Sequence, residues 1–491
     1  MTHGAHISAP SRRRWPHPVT ALTFFVGSAL AFCFLSTSIG WWAVAVAGAL
    51  CTGVLGATAL ASSETRLRRV IGRAAWVVLA LLYALWVYLA LTFGVLLAWA
   101  VEPWTWALAG AAAIAAAATL RRPRHRLRVS LILPLGVWIA AALAAWGGEE
   151  SWLRCDDYLA LRAPVQLVVP SHPDLASCRA GEIRPAGRFP RTIWQDPDGA
   201  RVVFTSQGVA VDGGIDGAVC EATLGDGGAP HCVGRPEGKS QGLFDVPDQQ
   251  RLIVMQWGVI TPNGRPGAVA LEVSRNPGLT LLGEQWFDQF LAEGFYEPRN
   301  TTLYLFSDKM DGIHRFVLPG FAPAPTIPIT YFTPGEVHYD STSGEGVACG
   351  SRFATAIRGE PFSARNLADG HSLIQNLSLS WGCDWDEVAR QVYVAVPNLG
   401  LLVKVDYDTG EVEQRWFVGF GTRSVAYDAV RRRVYLTDFL RGDVIAFDER
   451  SGRVVDRWFI GRYARWVRLT RDGRALLATS NLGIVRIALD T

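Results

Sequence analysis

The chain has 491 residues, and its formal charge of +3 conceals two parts of opposite charge. Residues 1–148 carry twelve Arg against Glu64 and Glu102, a balance of +10, so residues 149–491 carry 3 − 10 = −7. This acidic balance argues against nucleic acid as a partner of the second part. The first part consists of apolar runs separated by basic clusters, whereas the second has the mixed, strand-rich composition of a folded domain.

Five apolar runs in the first part are each close to the ~20 residues that cross a bilayer. They are residues 19–37, 41–61, 74–99, 104–120 and 129–146. Arginine clusters precede the first run and fill the loops after the second and the fourth, whereas the other two loops contain no Lys or Arg. The positive-inside rule then places the N-terminus in the cytoplasm and residue 149 onward outside. We therefore predict an integral, multi-pass protein of a bacterial inner or plasma membrane with a periplasmic or extracellular C-terminal domain.

The predicted domains follow from this division of the chain. They are a cytoplasmic tail at 1–18, a five-helix transmembrane domain at 19–148, a lead-in at 149–190 and a β-propeller at 191–491. No ionisable residue lies well inside a predicted span, which favours a simple anchor. A lipid or small-molecule pocket among the Trp-rich spans remains the alternative.

Six of the eight cysteines fall in the predicted outer domain: Cys155, Cys178, Cys220, Cys232, Cys349 and Cys383. An even number in an oxidising compartment favours disulfides. Pairing of sequence neighbours gives 155–178, 220–232 and 349–383, which is one of 15 connectivities. The chain has no CxxC or CxxCH motif, and its histidines are scattered, so we predict no metal and no cofactor.

Repeats dominate the C-terminal part of the chain. Val392, Val434 and Leu476 open equivalent apolar runs 42 residues apart, and similar runs recur upstream at 201–206, 251–257, 301–306 and 347–350. Periods of about 40–45 residues with several strands each are typical of β-propeller blades. The predicted fold class is therefore an α-helical membrane domain of five spans plus an all-β, seven-bladed propeller.

The last repeat is one strand short, which would leave an exposed sheet edge. The apolar run at 165–169 precedes the first repeat and can supply the missing strand. We expect this N-terminal strand to close the ring.

The repeats also carry a family resemblance. The segments VKVDYDTGEV and IAFDERSGRV each follow a VYVA- or VYLT-type run, and they resemble YVTN/NHL-type repeats of bacterial β-propellers. The resemblance is good over 380–491, looser over 191–335 and poor over 336–375. It implies a propeller that serves as a binding or scaffolding surface, and it implies no substrate, because this fold hosts many functions.

A Gly-x-x-x-Arg stretch precedes the inner strand of three units that are neighbours in a closed ring. Its arginines are Arg191, Arg423 and Arg465. Guanidinium groups converging on a channel mouth would bind a carboxylate or a phosphate. In the alternative interpretation, each arginine pairs with a nearby aspartate and staples its own blade. Those aspartates are Asp196, Asp428 and Asp472.

Pairs of aspartates spaced by one residue, such as Asp384 with Asp386 and Asp406 with Asp408, could be read as calcium ligands. The second pair belongs to the turn of the repeat itself, where aspartate side chains accept hydrogen bonds from backbone amides. We therefore favour the turn interpretation.

Three functions remain open at this stage. The first is a binding or scaffolding module for a partner protein or an envelope ligand. The second is a propeller enzyme, a hydrolase or lyase acting on an anionic substrate at the channel mouth, although the sequence shows no GxSxG, SxxK or P-loop motif. The third is a subunit of a membrane protein complex. No catalytic residue can be named from the sequence.

Overall fold

The computed structural model describes residues 152–489, with gaps at 186, 209–214, 226–228, 236, 308–311, 329–333, 351–352, 369–379, 398 and 440. The described chain begins with a short lead-in. It contains β1 (Trp152–Arg154), α1 (Cys155–Leu159), β2 (Val165–Pro170), a 3-10 turn (Pro173–Ser177) and β3 (Ile183–Pro185). β1 and β3 pair with each other, and a disulfide joins Cys155 to Cys178.

Seven four-stranded antiparallel sheets follow, and we number them as blades 1 to 7. Blade 1 contains β4 (Phe189–Gln195), β5 (Arg201–Gln207), β6 (Val219–Thr223) and β7 (His231–Val233). Blade 2 contains β8 (Lys239–Val246), β9 (Arg251–Ile260), β10 (Pro266–Ser274) and β11 (Leu281–Phe287), with a 3-10 turn (Pro247–Gln249) after β8. Blade 3 contains β12 (Leu291–Glu297), β13 (Thr302–Ser307), β14 (Ile313–Val317) and β15 (Ala322–Ile327).

Blades 4 to 6 repeat the same order of strands. Blade 4 contains β16 (Pro334–Asp340), β17 (Glu345–Gly350), β18 (Phe353–Gly359) and β19 (Phe362–Asn366). Blade 5 contains β20 (Gly382–Asp386), β21 (Gln391–Val396), β22 (Leu401–Asp406) and β23 (Val412–Phe417). Blade 6 contains β24 (Thr422–Asp428), β25 (Arg433–Asp438), β26 (Asp443–Asp448) and β27 (Arg453–Phe459). The unit with the poorest repeat pattern is thus a complete sheet.

Blade 7 is built from both ends of the described chain. Its own strands are β28 (Trp466–Leu469), β29 (Ala475–Ser480) and β30 (Gly483–Ala488). β2 pairs with β30 and supplies the fourth strand, with Val165 opposite Ile487. The incomplete last repeat had predicted this closure, because an unpaired β30 would be an open edge.

Position within a blade explains the apolar runs of the sequence. The second strand of a blade packs against the sheets of both neighbouring blades. It is buried along its whole length in β5, β13 and β29. The fourth strand lies at the rim, so most residues of β19 and β23 are exposed or half-buried. Continuous burial on both faces gives continuous apolar sequence, and this is why the second strands were recognisable.

The six outer cysteines form three disulfides. Besides the bond in the lead-in, Cys220 joins Cys232 between β6 and β7, and Cys349 joins Cys383 between blades 4 and 5. The pairing of sequence neighbours is therefore confirmed.

The fold class predicted from the sequence requires a correction. The described residues form an all-β, seven-bladed propeller, not a helical membrane domain joined to a propeller. None of their helices is long and apolar enough to cross a membrane. α1 has five residues and spans roughly 7.5 Å, against roughly 30 Å of hydrocarbon. The five predicted spans and the tail, residues 1–148, lie outside the described residues.

Candidate functional site

A small cavity of about 60 Å³ lies where the first strands of the blades meet at the centre of the ring. All seven blades contribute residues to its wall. In five of the first strands, β4, β8, β12, β16 and β24, the pairing register shifts at or beside the lining residues. Such bulges redirect side chains and are common beside functional sites. The centre of the ring is therefore our candidate site.

The three arginines identified in the sequence all line this cavity. They are Arg191 of blade 1, Arg423 of blade 6 and Arg465, which directly precedes β28 of blade 7. Arg191 and Arg465 are 8% and 2% exposed, and Arg423 is half-buried. The structure thus brings together three guanidinium groups that are far apart in the sequence.

A buried amide holds two of these guanidinium groups close to each other. Nη1 of Arg191 and Nη1 of Arg465 both donate hydrogen bonds to Oε1 of Gln207, at 3.0 and 2.8 Å. The guanidinium carbon of Arg465 also lies 4.7 Å from the ring centroid of Phe189. An amide oxygen and an aromatic face orient these two cations at the cavity wall.

Arg423 is positioned by an aromatic ring in a similar way. Its guanidinium carbon lies 4.8 Å from the ring centroid of Trp381, which enters the cavity wall just before β20. Trp381 occupies in blade 5 the position that arginine occupies in blades 1, 6 and 7, ten residues before the second strand. One blade therefore supplies the platform for the cation of its neighbour.

The aspartates of the stapling alternative contact other residues. Oδ2 of Asp196 lies 3.6 Å from Nε of Arg201, and Oδ2 of Asp428 lies 2.8 Å from Nη1 of Arg431. Asp472 accepts a hydrogen bond of 2.6 Å from the hydroxyl group of Thr470. These contacts stabilise turns within single blades.

Two buried acids form another part of the wall, and the sequence analysis did not identify them. Glu293 on β12 and Glu336 on β16 are 8% and 7% exposed. Burial raises the pKa of Glu293 to about 8, against the opposing effects of Arg191 and a hydrogen bond to Gln241. Glu336 raises this pKa further, because neighbouring carboxylates repel each other. The raised pKa favours the protonated form of Glu293 at neutral pH.

A buried histidine lies next to Glu336 on the same face of β16. Nδ1 of His338 is 3.3 Å from Oδ1 of Asp384, and its Nε2 is 3.9 Å from Oε2 of Glu336. Burial and the charge of Arg468 lower the pKa of His338. The carboxylates of Asp384 and Glu336 outweigh these effects, and the net shift of this pKa is upward. Burial opposes ionisation of Asp384, but the attraction of His338 prevails and lowers the pKa of Asp384.

A shared spacing could have revealed the two acids. Glu293 and Glu336 each lie nine residues before the second strand of their blade, at Thr302 and Glu345. The arginines of the site lie ten residues before theirs. The residue that follows the arginine position therefore also lines the cavity in several blades, and the Gly-x-x-x-Arg motif does not identify it.

The aspartate pairs that suggested calcium belong to turns. Oδ1 of Asp406 accepts hydrogen bonds from the backbone amides of Asp408 and Thr409, at 3.0 and 2.6 Å. Oδ1 of Asp386 accepts from the amides of Val388 and Ala389 in the same way. The turn interpretation accounts for both side chains.

No protein-family model matches the chain, and the search of curated proteins found no match either. The seven-bladed propeller is observed directly, whereas its assignment to the YVTN/NHL type is not confirmed.

Proposed function

We propose that the propeller is a binding module and that its central cavity takes a small anion. The observation that carries this proposal is the convergence of Arg191, Arg423 and Arg465 on one cavity. Guanidinium groups donate paired hydrogen bonds to carboxylate or phosphate oxygens and retain their charge at physiological pH. Arg468 lines the same cavity, so four guanidinium groups face two carboxyl groups. This excess of positive charge favours an anionic ligand.

The size of the cavity restricts the ligand. Its volume of about 60 Å³ is well below the roughly 300–1,000 Å³ of pockets that bind drug-sized molecules. An inorganic oxyanion or a carboxylate of a few atoms fits this volume. A larger ligand would have to present such a group at its end.

We place this binding outside the cytoplasm. Three disulfides in one domain support an oxidising compartment, since reducing systems keep cytosolic thiols free. Location in a bacterial inner membrane remains a prediction from the sequence.

The proposal predicts that Arg423→Gln weakens anion binding by at least about tenfold, because a hydrogen bond between charged groups is lost. Arg423 is the most exposed of the three arginines, so its replacement disturbs the fold least. The measurement is the melting temperature of the purified full-length chain, titrated with phosphate, sulfate, acetate and glycolate. Arg450→Gln, at an exposed turn of blade 6, is the matched control and should behave like the wild type.

Equal shifts in wild type and Arg423→Gln would contradict a site at the cavity. A wild type that responds to no anion would instead favour a protein partner on the propeller surface, which is the scaffolding form of the binding hypothesis. Affinity purification of the intact chain would then be the next experiment.

A second candidate function is an enzyme acting on an anionic substrate. The pair of His338 and Asp384 favours it, because His338 adjoins Glu336 of the cavity wall and a histidine between two carboxyl groups can pass a proton to the wall residue. Chemical analysis of each ligand after incubation distinguishes the two functions. A binding module returns the ligand unchanged, whereas an enzyme converts it.

A further inference from the structure

The two acids of the cavity wall differ in how their charges are balanced. Oε1 of Glu336 accepts a hydrogen bond of 2.7 Å from the hydroxyl group of Ser424, and its Oε2 lies 3.9 Å from Nε2 of His338. Glu293 forms no ion pair within 4 Å among the described residues. The charge of Glu293, when this group ionises, is therefore the less compensated of the two.

Glu293 lies on β12, and the groups that face its carboxyl group come from three other first strands. On β8, the amide oxygen of Gln241 accepts a hydrogen bond of 3.2 Å from the indole N–H of Trp257, so its NH2 group is left to donate to Glu293. The charged groups come from β4 and β16, and they are Arg191, Glu336 and His338. Burial has the largest effect on the pKa of Glu293 and raises it, as Glu336 does, whereas the two cations lower it.

The cavity is too small for an anion to avoid this carboxyl group. Its volume is about 60 Å³, and Glu293 lines it together with the arginines. An anion that accepts hydrogen bonds from the arginines therefore has Glu293 as a close neighbour. Like charges in a buried site repel each other strongly, whereas a neutral carboxyl group can donate its O–H to an anion. The protonation state of Glu293 must then affect how tightly the anion binds.

We propose that the cavity binds its anion together with a proton, which Glu293 holds, and that loss of this proton releases the anion. This inference rests on the proposed function, because it concerns the regulation of the same site. With Glu293 protonated, the anion meets guanidinium groups and one further hydrogen-bond donor. With Glu293 ionised, it meets a carboxylate. The effect is reciprocal, so the bound anion must in turn raise the affinity of Glu293 for its proton.

Glu293 changes its protonation state within the range of ordinary buffers. Burial raises its pKa to about 8, so anion binding weakens as the pH rises through this value. His338, whose pKa also lies above its usual value, acts in the same direction at lower pH, because it loses a positive charge on deprotonation. The arginines keep their charge throughout this range. The alkaline part of the pH dependence therefore belongs to Glu293.

The test is calorimetric titration of the full-length chain with sulfate at pH 6.5 and at pH 9.5, on either side of the pKa of Glu293. Sulfate keeps its charge between these values, so a change of affinity arises in the protein. Mild detergent is kept in all buffers, because residues 19–148 are strongly apolar. We expect sulfate to bind at least about tenfold more weakly at pH 9.5, since each unit by which the anion raises this pKa is a factor of ten. Acetate, which also keeps its charge, replaces sulfate if the cavity accepts only carboxylates.

The proton can be counted in the same experiment. Titrations at pH 9.5 in two buffers with different enthalpies of ionisation should show an uptake of about half a proton or more per anion. Glu293→Gln keeps a hydrogen-bond donor but cannot ionise. At pH 9.5 it should bind the anion about tenfold more tightly than the wild type does, without proton uptake. Glu411→Gln, at an exposed turn of blade 5, should behave like the wild type.

The outcomes separate this inference from the function on which it rests. If the wild type binds the anion equally at both pH values, or if Glu293→Gln loses as much affinity at pH 9.5 as the wild type, the cavity is an anion site but the inference is wrong. Binding of phosphate without binding of sulfate or acetate also contradicts it. If no anion binds at either pH, the proposed function fails and the inference fails with it. If Glu293→Gln does not fold, proton uptake by the wild type at pH 9.5 decides alone.

Discussion

Glu293 is 8% exposed, and its carboxyl group interacts with both a guanidinium group and a second acid. Loss of solvent is the largest influence on its pKa, which rises from 4.5 to about 8 in the folded chain. The group faces Arg191, Glu336 and His338, and Gln241 donates a hydrogen bond to it. Because the folded state holds this proton more tightly than the unfolded state does, folding and pH are linked.

We expect the stability of the wild type to fall as pH rises from about 4.5 to about 8, and Glu293→Gln to remove this part of the fall. Below 4.5 both states are protonated, and between the two values only the unfolded state ionises. The slope contributed by one group is at most about 1.4 kcal/mol per pH unit. Melting temperatures of the two proteins across this range provide the measurement, with Glu411→Gln as the exposed control. Parallel curves for wild type and Glu293→Gln would contradict the raised pKa.

The inner strands show what the sequence can and cannot predict. Strict alternation along a strand puts adjacent residues on opposite faces. If Arg191 or Arg423 lines the cavity, alternation predicts that the next residue does not. Bulges break this rule, and Thr192 and Ser424 line the cavity beside their arginines. Glu293 and Glu336 occupy the equivalent position in blades 3 and 4, whereas blades 1, 6 and 7 have Thr192, Ser424 and Trp466 there. The arginines were therefore predictable from a motif, whereas predicting the acids requires knowledge of the strand register in each blade.

β2 was predictable for a different reason, since an open edge in blade 7 demanded a strand. Val169 on β2 is 1% exposed and packs with Ile193 and Ile484, whereas Gln166 on the same strand is exposed. We expect Val169→Asp to destabilise the domain by about 3 kcal/mol or more, because it buries an unpaired charge. Gln166→Asp should stay within about 0.5 kcal/mol of the wild type. Denaturant unfolding measures both, and equal effects of the two variants would show that β2 does not close the ring in solution.

The disulfides were predicted from the proximity of cysteines in the sequence, whereas the blades were predicted from the repeat pattern. Proximity in the sequence predicted the three pairings, because two bonds lie within one blade or between successive blades and the third lies within the lead-in. The repeat pattern was poorest at blade 4, yet its sheet is complete. The bond between Cys349 and Cys383 ties this divergent blade to blade 5.

Removing disulfides should therefore cost unequal amounts of stability. The loop closed by Cys349 and Cys383 spans 34 residues, and that closed by Cys220 and Cys232 spans 12. Loop-closure entropy gives about 4 kcal/mol for the first and about 3 kcal/mol for the second. We expect the double serine variant of the longer loop to have the lower melting temperature. The reverse order would show that packing around the sulfur atoms, and not chain entropy, sets the contribution of these bonds.

Ring closure also sets an order of events during biosynthesis. Val165 leaves the ribosome 322 residues before its partner Ile487, an interval of about 15–65 s at about 5–20 residues per second. β2 must remain unpaired until nearly the whole chain has been made, while six blades can already form. The loop between Cys155 and Cys178 contains β2 and can be closed early in this interval. The propeller therefore closes only when translation is nearly complete, because a chain truncated before residue 483 lacks β30, the strand with which β2 pairs.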